Sequence, residues 1–116
     1  MRTMSDCLFC RIVAREIPAT VVHETDTTLA FRDIAPQAPT HVVLVPKTHA
    51  PDAVALAAAA PGVLDDLFLA AGEVAKAEGV AETGYRTLFN TGSDAGQTVF
   101  HAHLHVLGGR RLGPLA

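Results

Sequence analysis

Three of the six histidines, His101, His103 and His105, stand at alternate positions near the end of the chain. A strand sends residues i, i+2 and i+4 to one face at about 6.7 Å per step. A strand over Phe100–Leu107 would therefore line three imidazoles on one surface and turn Ala102, Leu104 and Val106 toward a core. A lone histidine is most simply a hydrogen-bonded surface group, but three in register with apolar partners are poorly explained that way. Such a row could chelate a catalytic zinc, or one ring could attack an electrophile while its neighbours fix its tautomer. Just upstream, Asn90-Thr91-Gly92-Ser93-Asp94-Ala95-Gly96-Gln97-Thr98 offers glycine-freed backbone amides and neutral donors, the equipment for holding an anionic oxygen such as phosphate. Alone it would be an ordinary turn; beside the histidines it favours phosphorus chemistry. At the other end, Cys7 and Cys10 are spaced for a metal clip or redox pair rather than a loop-closing bridge. They supply two of the four ligands of a tetrahedral zinc, so two histidines would have to join them.

Short elements must position these groups. Leu8, Phe9, Ile12 and Val13 recur at helical spacing within Cys7–Glu16, and Pro18 disfavours helix at Ile17. Thr20–Glu24 and Thr28–Arg32 read as a hairpin around Thr25-Asp26-Thr27. Ala35-Pro36-Gln37-Ala38-Pro39 forms a rigid turn before His41–Val45, an unbroken apolar run expected as a central, covered strand that Pro46 ends. From Pro61 to Gly79, Val63, Leu64, Leu67, Phe68, Ala71, Val74 and Ala75 draw one stripe along the main helix. Pro61 suits its first turn and Gly79 its C-terminal cap, while Gly72 inside it costs roughly 1 kcal/mol against alanine. Tyr85–Asn90 and Phe100–Leu107 complete five strands and two helices. Their irregular alternation favours an α+β fold with an antiparallel sheet over a doubly wound parallel one. The Ala57–Ala60 run is the one low-complexity patch, and no repeat, linker or charge block divides the chain.

The 116 residues fit a single domain, with residues 1–6 as an N-terminal extension and 111–116 as a short tail. Nine Lys and Arg against twelve Asp and Glu give a net charge of −3, which disfavours a nucleic-acid polymer as partner. Ala53–Ala71, the most apolar stretch, is interrupted by Pro61, Gly62, Asp65 and Asp66, and Met1–Asp6 lacks a signal-peptide core. The expectation is a soluble cytoplasmic protein without a membrane partner.

Gly96-Gln97-Thr98-Val99-Phe100-His101-Ala102-His103-Leu104-His105-Val106-Leu107 closely resembles the histidine triad (HIT) signature. Phe31-Arg32-Asp33-Ile34, Ala35-Pro36-Gln37-Ala38-Pro39-Thr40-His41 and Val45-Pro46-Lys47-Thr48-His49 resemble the family's N-terminal half, so the likeness spans about Cys7 to Arg110. The His-Val-Leu-Gly-Gly-Arg continuation from His105 to Arg110 is similar to the histidine triad nucleotide-binding branch.

The resemblance implies a hydrolase cleaving at the α-phosphorus of a purine nucleoside monophosphate derivative, a phosphoramidate or an aminoacyl or lysyl adenylate, without a catalytic metal or organic cofactor. By motif position His103 would be the nucleophile, and water would hydrolyse the nucleotidyl-imidazole. His105 and His41 would orient and support it, with His101 and Thr98 assisting at the leaving group and phosphate oxygens. Backbone amides near Gly96 and Gln97 would add hydrogen bonds. Asp33 matches the acid that accepts from the ribose hydroxyls, with a turn-capping role as its bland alternative. Leu8, Phe9, Ile12, Phe31 and Ile34 match the slot around the base, and Asn90 a phosphate-side or ribose-side contact; without the resemblance the apolar residues would be read as core. It also implies that His49 and His101 join Cys7 and Cys10 in a structural zinc site, and that the sheet continues to ten strands in a homodimer.

Two features depart from the branch. Thr98 stands where serine is usual, and the chain ends Arg110-Arg111-Leu112-Gly113-Pro114-Leu115-Ala116 without the tryptophan-containing tail that shapes the leaving-group side. The Gly-Gln-Thr-Val spelling also occurs in the dinucleoside-polyphosphate-hydrolysing branch, which makes those substrates an alternative. Two other rivals are a metallohydrolase ligated by His101, His103 and His105, and a nucleotide-binding interaction module with little turnover.

Overall fold

The computed structural model of the chain describes residues 6–115. Of the extension read over 1–6, residues 1–5 lie outside the described residues, as does Ala116 of the tail. The described residues form three α-helices and five strands: α1 (Leu8–Val13), β1 (Val21–Glu24), β2 (Thr28–Arg32), β3 (Thr40–Pro46), α2 (Ala53–Ala59), α3 (Pro61–Ala77), β4 (Tyr85–Phe89) and β5 (Leu104–Gly108). The strands make one sheet in the order β1-β2-β3-β5-β4, with every neighbouring pair antiparallel. The α+β class with a five-stranded antiparallel sheet is thus as expected.

β3 is buried along its whole length because the sheet is covered on both faces. Toward α2 and α3, Val42, Leu44, Leu104 and Val106 pack with Leu56, Leu67, Ala71 and Val74. On the opposite face Leu29, Phe31, Val43 and Val45 pack with Cys7, Phe9 and Ile12 from α1. The second cluster is the floor on which the functional groups sit.

Helix termini follow local chemistry. Cys7 caps α1 by accepting the Cys10 amide at 3.4 Å, and Arg15 in the left-handed region (φ 64°) ends it well before Glu16. α3 begins at Pro61 and closes with the Val80 amide donating to the Ala75 carbonyl (3.0 Å) around Gly79 at φ 76°. Its stripe is buried through Leu67, Ala70, Ala71, Val74 and Ala75, whereas Phe68, read as part of it, remains half exposed against Phe89.

Two sequence readings need correction. The fold has three α-helices rather than two: Asp52 caps α2 by accepting the Ala55 amide at 2.9 Å, and Leu56 anchors this helix fully buried. The last strand begins at Leu104 rather than Phe100, because the preceding backbone bonds to a loop instead of the sheet, with the Ala102 amide donating to the Ala50 carbonyl at 2.7 Å. Among the described residues no helix is long and apolar enough to cross a membrane.

Candidate active site and metal-ligand group

The alternation of side chains survives even though the regular strand starts late. Ala102, Leu104 and Val106 enter the helix-side core, and His103 and His105 face the opposite side, beneath α1. Antiparallel pairing sets Val43 and Leu88 beside His105, so the central strands fix its lateral position.

Hydrogen bonds assign the tautomers. A carbonyl can only accept, so the 2.8 Å contact between His103 Nδ1 and the His101 carbonyl places a proton on Nδ1 and leaves Nε2 with its lone pair. The Gln37 amide donates to His41 Nδ1 at 3.0 Å, which puts the His41 proton on Nε2. That N–H donates to His105 Nδ1 at 2.9 Å, so His105 carries its own proton on Nε2. A fixed backbone donor thus orients two imidazoles in series. Asp33 adds its Oδ2 3.5 Å from His41 Nε2 while its Oδ1 accepts the Ala35 amide at 2.8 Å. Asp33, His41 and His105 bring donor atoms close enough to hold a metal ion, but the closest of these contacts is already the His41–His105 hydrogen bond.

Burial keeps the rings neutral. It is the main cause pushing His103 below its ordinary pKa, against the opposing effects of the His101 carbonyl and Asp33. His105 is pushed down to about 4 by burial, with His103 and His41 adding to the effect. Burial also lowers His41, against the pull of Asp33. Near pH 7 the row therefore offers lone pairs and N–H donors rather than cations.

A cavity of about 320 Å³ opens over these rings. It is lined by Leu8, Phe9, Ile12, Phe31, Asp33, Ile34, Asn90, Gly96, Thr98, His103 and His105. Ile34 is fully exposed at its mouth, and the Thr98 hydroxyl makes no hydrogen bond among the described residues. Larger hollows elsewhere are lined by neither His103 nor His105. An apolar wall with a few convergent polar groups is the usual make-up of a small-molecule site. Val43 and Val99 also line this wall, without a sequence signal; β3 is buried on both faces, so no alternation marks Val43. Nor does any sequence signal mark the backbone of Gln37, whose amide sets the tautomers and whose carbonyl accepts from Arg110 Nη2 at 3.0 Å.

Three expected site residues do not line the cavity. His41 stands behind His105 and does not line the cavity. Gln97 is buried as a loop brace, its amide side chain donating to the Pro51 and Val99 carbonyls and accepting from the Gly92 amide. The backbone amides expected to be free are engaged within the loop, Gly96 with the Ser93 carbonyl and Gln97 with the Gly92 carbonyl. His101 is fully buried in a second cluster.

That cluster gathers Cys7, Cys10, His49 and His101, with all four donor atoms within 4.8 Å of one another. His101 Nδ1 lies 3.3 Å from Cys7 Sγ, 3.4 Å from Cys10 Sγ and 3.2 Å from His49 Nδ1, and Cys10 Sγ lies 3.3 Å from His49 Nδ1. Metal–ligand lengths of about 2.3 Å for sulfur and 2.0–2.1 Å for nitrogen give tetrahedral edges near about 3.5 Å (S···N) and 3.3 Å (N···N). The residues fit a tetrahedral ion. His101 Nε2–H donates to the Pro46 carbonyl at 2.8 Å, which leaves its Nδ1 lone pair aimed into the cluster. Burial, with Cys7 adding to it, pushes the Cys10 thiol up to about 12, and a bound cation would reverse that preference. Once His101 is committed here, the ligand set His101, His103 and His105 of a catalytic metal is not assembled.

The HIT domain family model matches residues 14–112. The chain is 43% identical over 110 residues to the purine nucleoside phosphoramidase of Escherichia coli K12, covering 95% of this chain and 92% of that protein. Its fold superposes on a HIT family hydrolase from Clostridium thermocellum with a TM-score of 0.92 at 44% identity, covering 97% of each chain. A HIT family hydrolase from Legionella pneumophila gives 0.88 at 48% identity, covering 92% of this chain and 96% of the other. With the triad, the cavity over it and these likenesses in agreement, the chain belongs to the HIT family.

Proposed function

We propose that the chain is a hydrolase cleaving at the α-phosphorus of purine nucleoside phosphoramidates or aminoacyl and lysyl adenylates through a covalent nucleotidyl-His103. The observation that carries this reading is the His103 Nδ1–H bond to the His101 carbonyl, which leaves Nε2 as a lone pair on a ring lining the cavity. The E. coli relative's name, purine nucleoside phosphoramidase, and the hydrolase neighbours support the reaction class.

In the first step His103 Nε2 bonds to phosphorus as the P–N or P–O bond to the leaving group breaks, and the leaving group takes a proton from solvent, which the attacking water gives back in the second step. In the second, water attacks phosphorus and releases the imidazole, so the net change is one water added across the broken bond. The Nε2–H of His105, held in place by His41, donates toward the developing negative charge on the phosphoryl oxygens. Thr98 and Asn90 supply neutral donors from the cavity wall, and Asp33 Oδ2 accepts from ribose hydroxyls. Leu8, Phe9, Ile12, Phe31 and Ile34 hold the base.

We also assign Cys7, Cys10, His49 and His101 a structural zinc, which when bound cross-links α1 to the loop after β3 and the entrance of β5. β4, at the sheet edge, suits pairing with a second copy into a ten-stranded sheet.

With an adenosine phosphoramidate the wild type should form an acid-labile adenylyl adduct on His103. His103→Ala should bind adenosine 5′-monophosphate yet form no adduct and lose turnover by at least about a thousandfold. Normal hydrolysis by that variant would falsify the nucleophile assignment. The Gly96-Gln97-Thr98-Val99 spelling favours dinucleoside polyphosphates as the second reading, and faster turnover of diadenosine polyphosphate than of a lysyl phosphoramidate would select it. Nucleotide binding with neither adduct nor turnover would leave an interaction module.

A further inference from the structure

One short helix serves both sites. α1 and its cap send Cys7 and Cys10 to the metal-ligand group, and the same turns send Leu8, Phe9 and Ile12 to the cavity wall. The segment before β5 is shared in the same way: the His101 ring belongs to the metal-ligand group, while its carbonyl fixes the tautomer of His103. Phe9 stands where the two shared pieces meet. Its ring centre lies 5.9 Å from that of His101, 4.9 Å from His103 and 5.6 Å from Phe31, each approached edge-on. These are separations at which aromatic pairs interact favourably.

A helix of six residues has no stability of its own in water, so its position is set by what clamps it. An ion on Cys7 and Cys10 clamps it from one side, and a nucleoside against Leu8, Phe9 and Ile12 clamps it from the other. A ligand that holds α1 and the His101–His103 segment in the geometry the other needs leaves the second less ordering to do.

We propose that Phe9 is a positioning residue through which a metal ion at Cys7, Cys10, His49 and His101 and a purine nucleoside monophosphate in the cavity strengthen each other's binding. The inference rests on the nucleotide reading of the cavity given above. Coupling of this kind is reciprocal, so the factor by which the ion tightens nucleotide binding is the factor by which the nucleotide tightens the ion.

The test begins from folded, zinc-loaded protein. Transfer of zinc to a chromogenic chelator is followed with and without saturating adenosine 5′-monophosphate, in the wild type and in Phe9→Leu, with nucleotide affinity measured by calorimetry in each. In the wild type the nucleotide should slow zinc loss by at least about fivefold. In Phe9→Leu, with the nucleotide again saturating, that protection should fall to less than about twofold while one equivalent of zinc is retained. A merely structural Phe9 would change absolute affinities and stability but leave the protection factor alike in both proteins, which would overturn the assignment. Nucleotide binding without any slowing in the wild type would overturn the coupling and leave the nucleotide reading standing. Failure of the wild type to bind the nucleotide would overturn both, and failure to hold zinc would overturn the coupling alone.

Discussion

Asp33 illustrates how one side chain can satisfy two readings. As a turn cap it accepts the Ala35 amide through Oδ1; as a cavity residue it offers Oδ2, which also lies near His41. Asp33→Asn preserves a carbonyl oxygen for the turn while removing the charge and half the acceptor capacity. Hydrogen bonds to charged groups contribute about 1.5–3 kcal/mol, so the variant should raise KM for a nucleotide substrate roughly tenfold or more with a smaller change in kcat. Its melting temperature should stay within about 2 °C of wild type, because the bond to the Ala35 amide is kept. Steady-state kinetics and a melting curve check both parts; a KM unchanged with stability lost would leave Asp33 as a turn residue only.

At the scale of elements, α3 makes a clean prediction. Gly72 lies in its interior, and a Cβ built there meets nothing within 4 Å. Gly72→Ala should stabilise the fold by about 1 kcal/mol, or roughly 4 °C in Tm, through helix propensity and lost unfolded-state freedom. Thermal melts decide it, and a lower Tm would mean the helix needs that freedom. The elements also mark where the sequence was legible. Thr28–Arg32 was read to the residue because turn chemistry bounds it on one side and the Asp33 turn on the other. α2 escaped because its alanines carry no periodic signal, although Asp52 before Ala53 was a readable cap. The start of β5 escaped because its boundary depends on tertiary partners, the Ala50 and Pro46 carbonyls, that no local window contains. Cys7 and Cys10 announced half of a ligand set by spacing. His49 and His101 came from family likeness alone, since they lie 39 and 91 residues beyond Cys10.

For the molecule as a whole, burying neutral imidazoles has a thermodynamic signature. His105, held at about 4 against an ordinary 6.5, binds fewer protons folded than unfolded between those values, and His41 is displaced in the same direction. Where the unfolded state binds more protons, stability rises with pH. The contribution is therefore complete above about pH 6.5 and is lost on acidification toward pH 4. Glu24 and Glu78, each lowered chiefly by a hydrogen bond to a cation, add their own loss as the pH falls through the usual carboxylate range and below it. Urea unfolding at pH 7.5, 6.0 and 5.0 should show stability falling by a few kcal/mol, largely before the carboxylates titrate, with proton-linked release of zinc adding to the fall in zinc-loaded protein. A flat profile would mean the rings accept protons in place. One further tie runs across the molecule, from the Arg110 guanidinium at the chain's far end to the Gln37 carbonyl. The same residue's amide dictates which nitrogen of His41 is bare. Arg110 lines no part of the chamber, yet replacing it would release the residue whose amide governs proton placement in the relay.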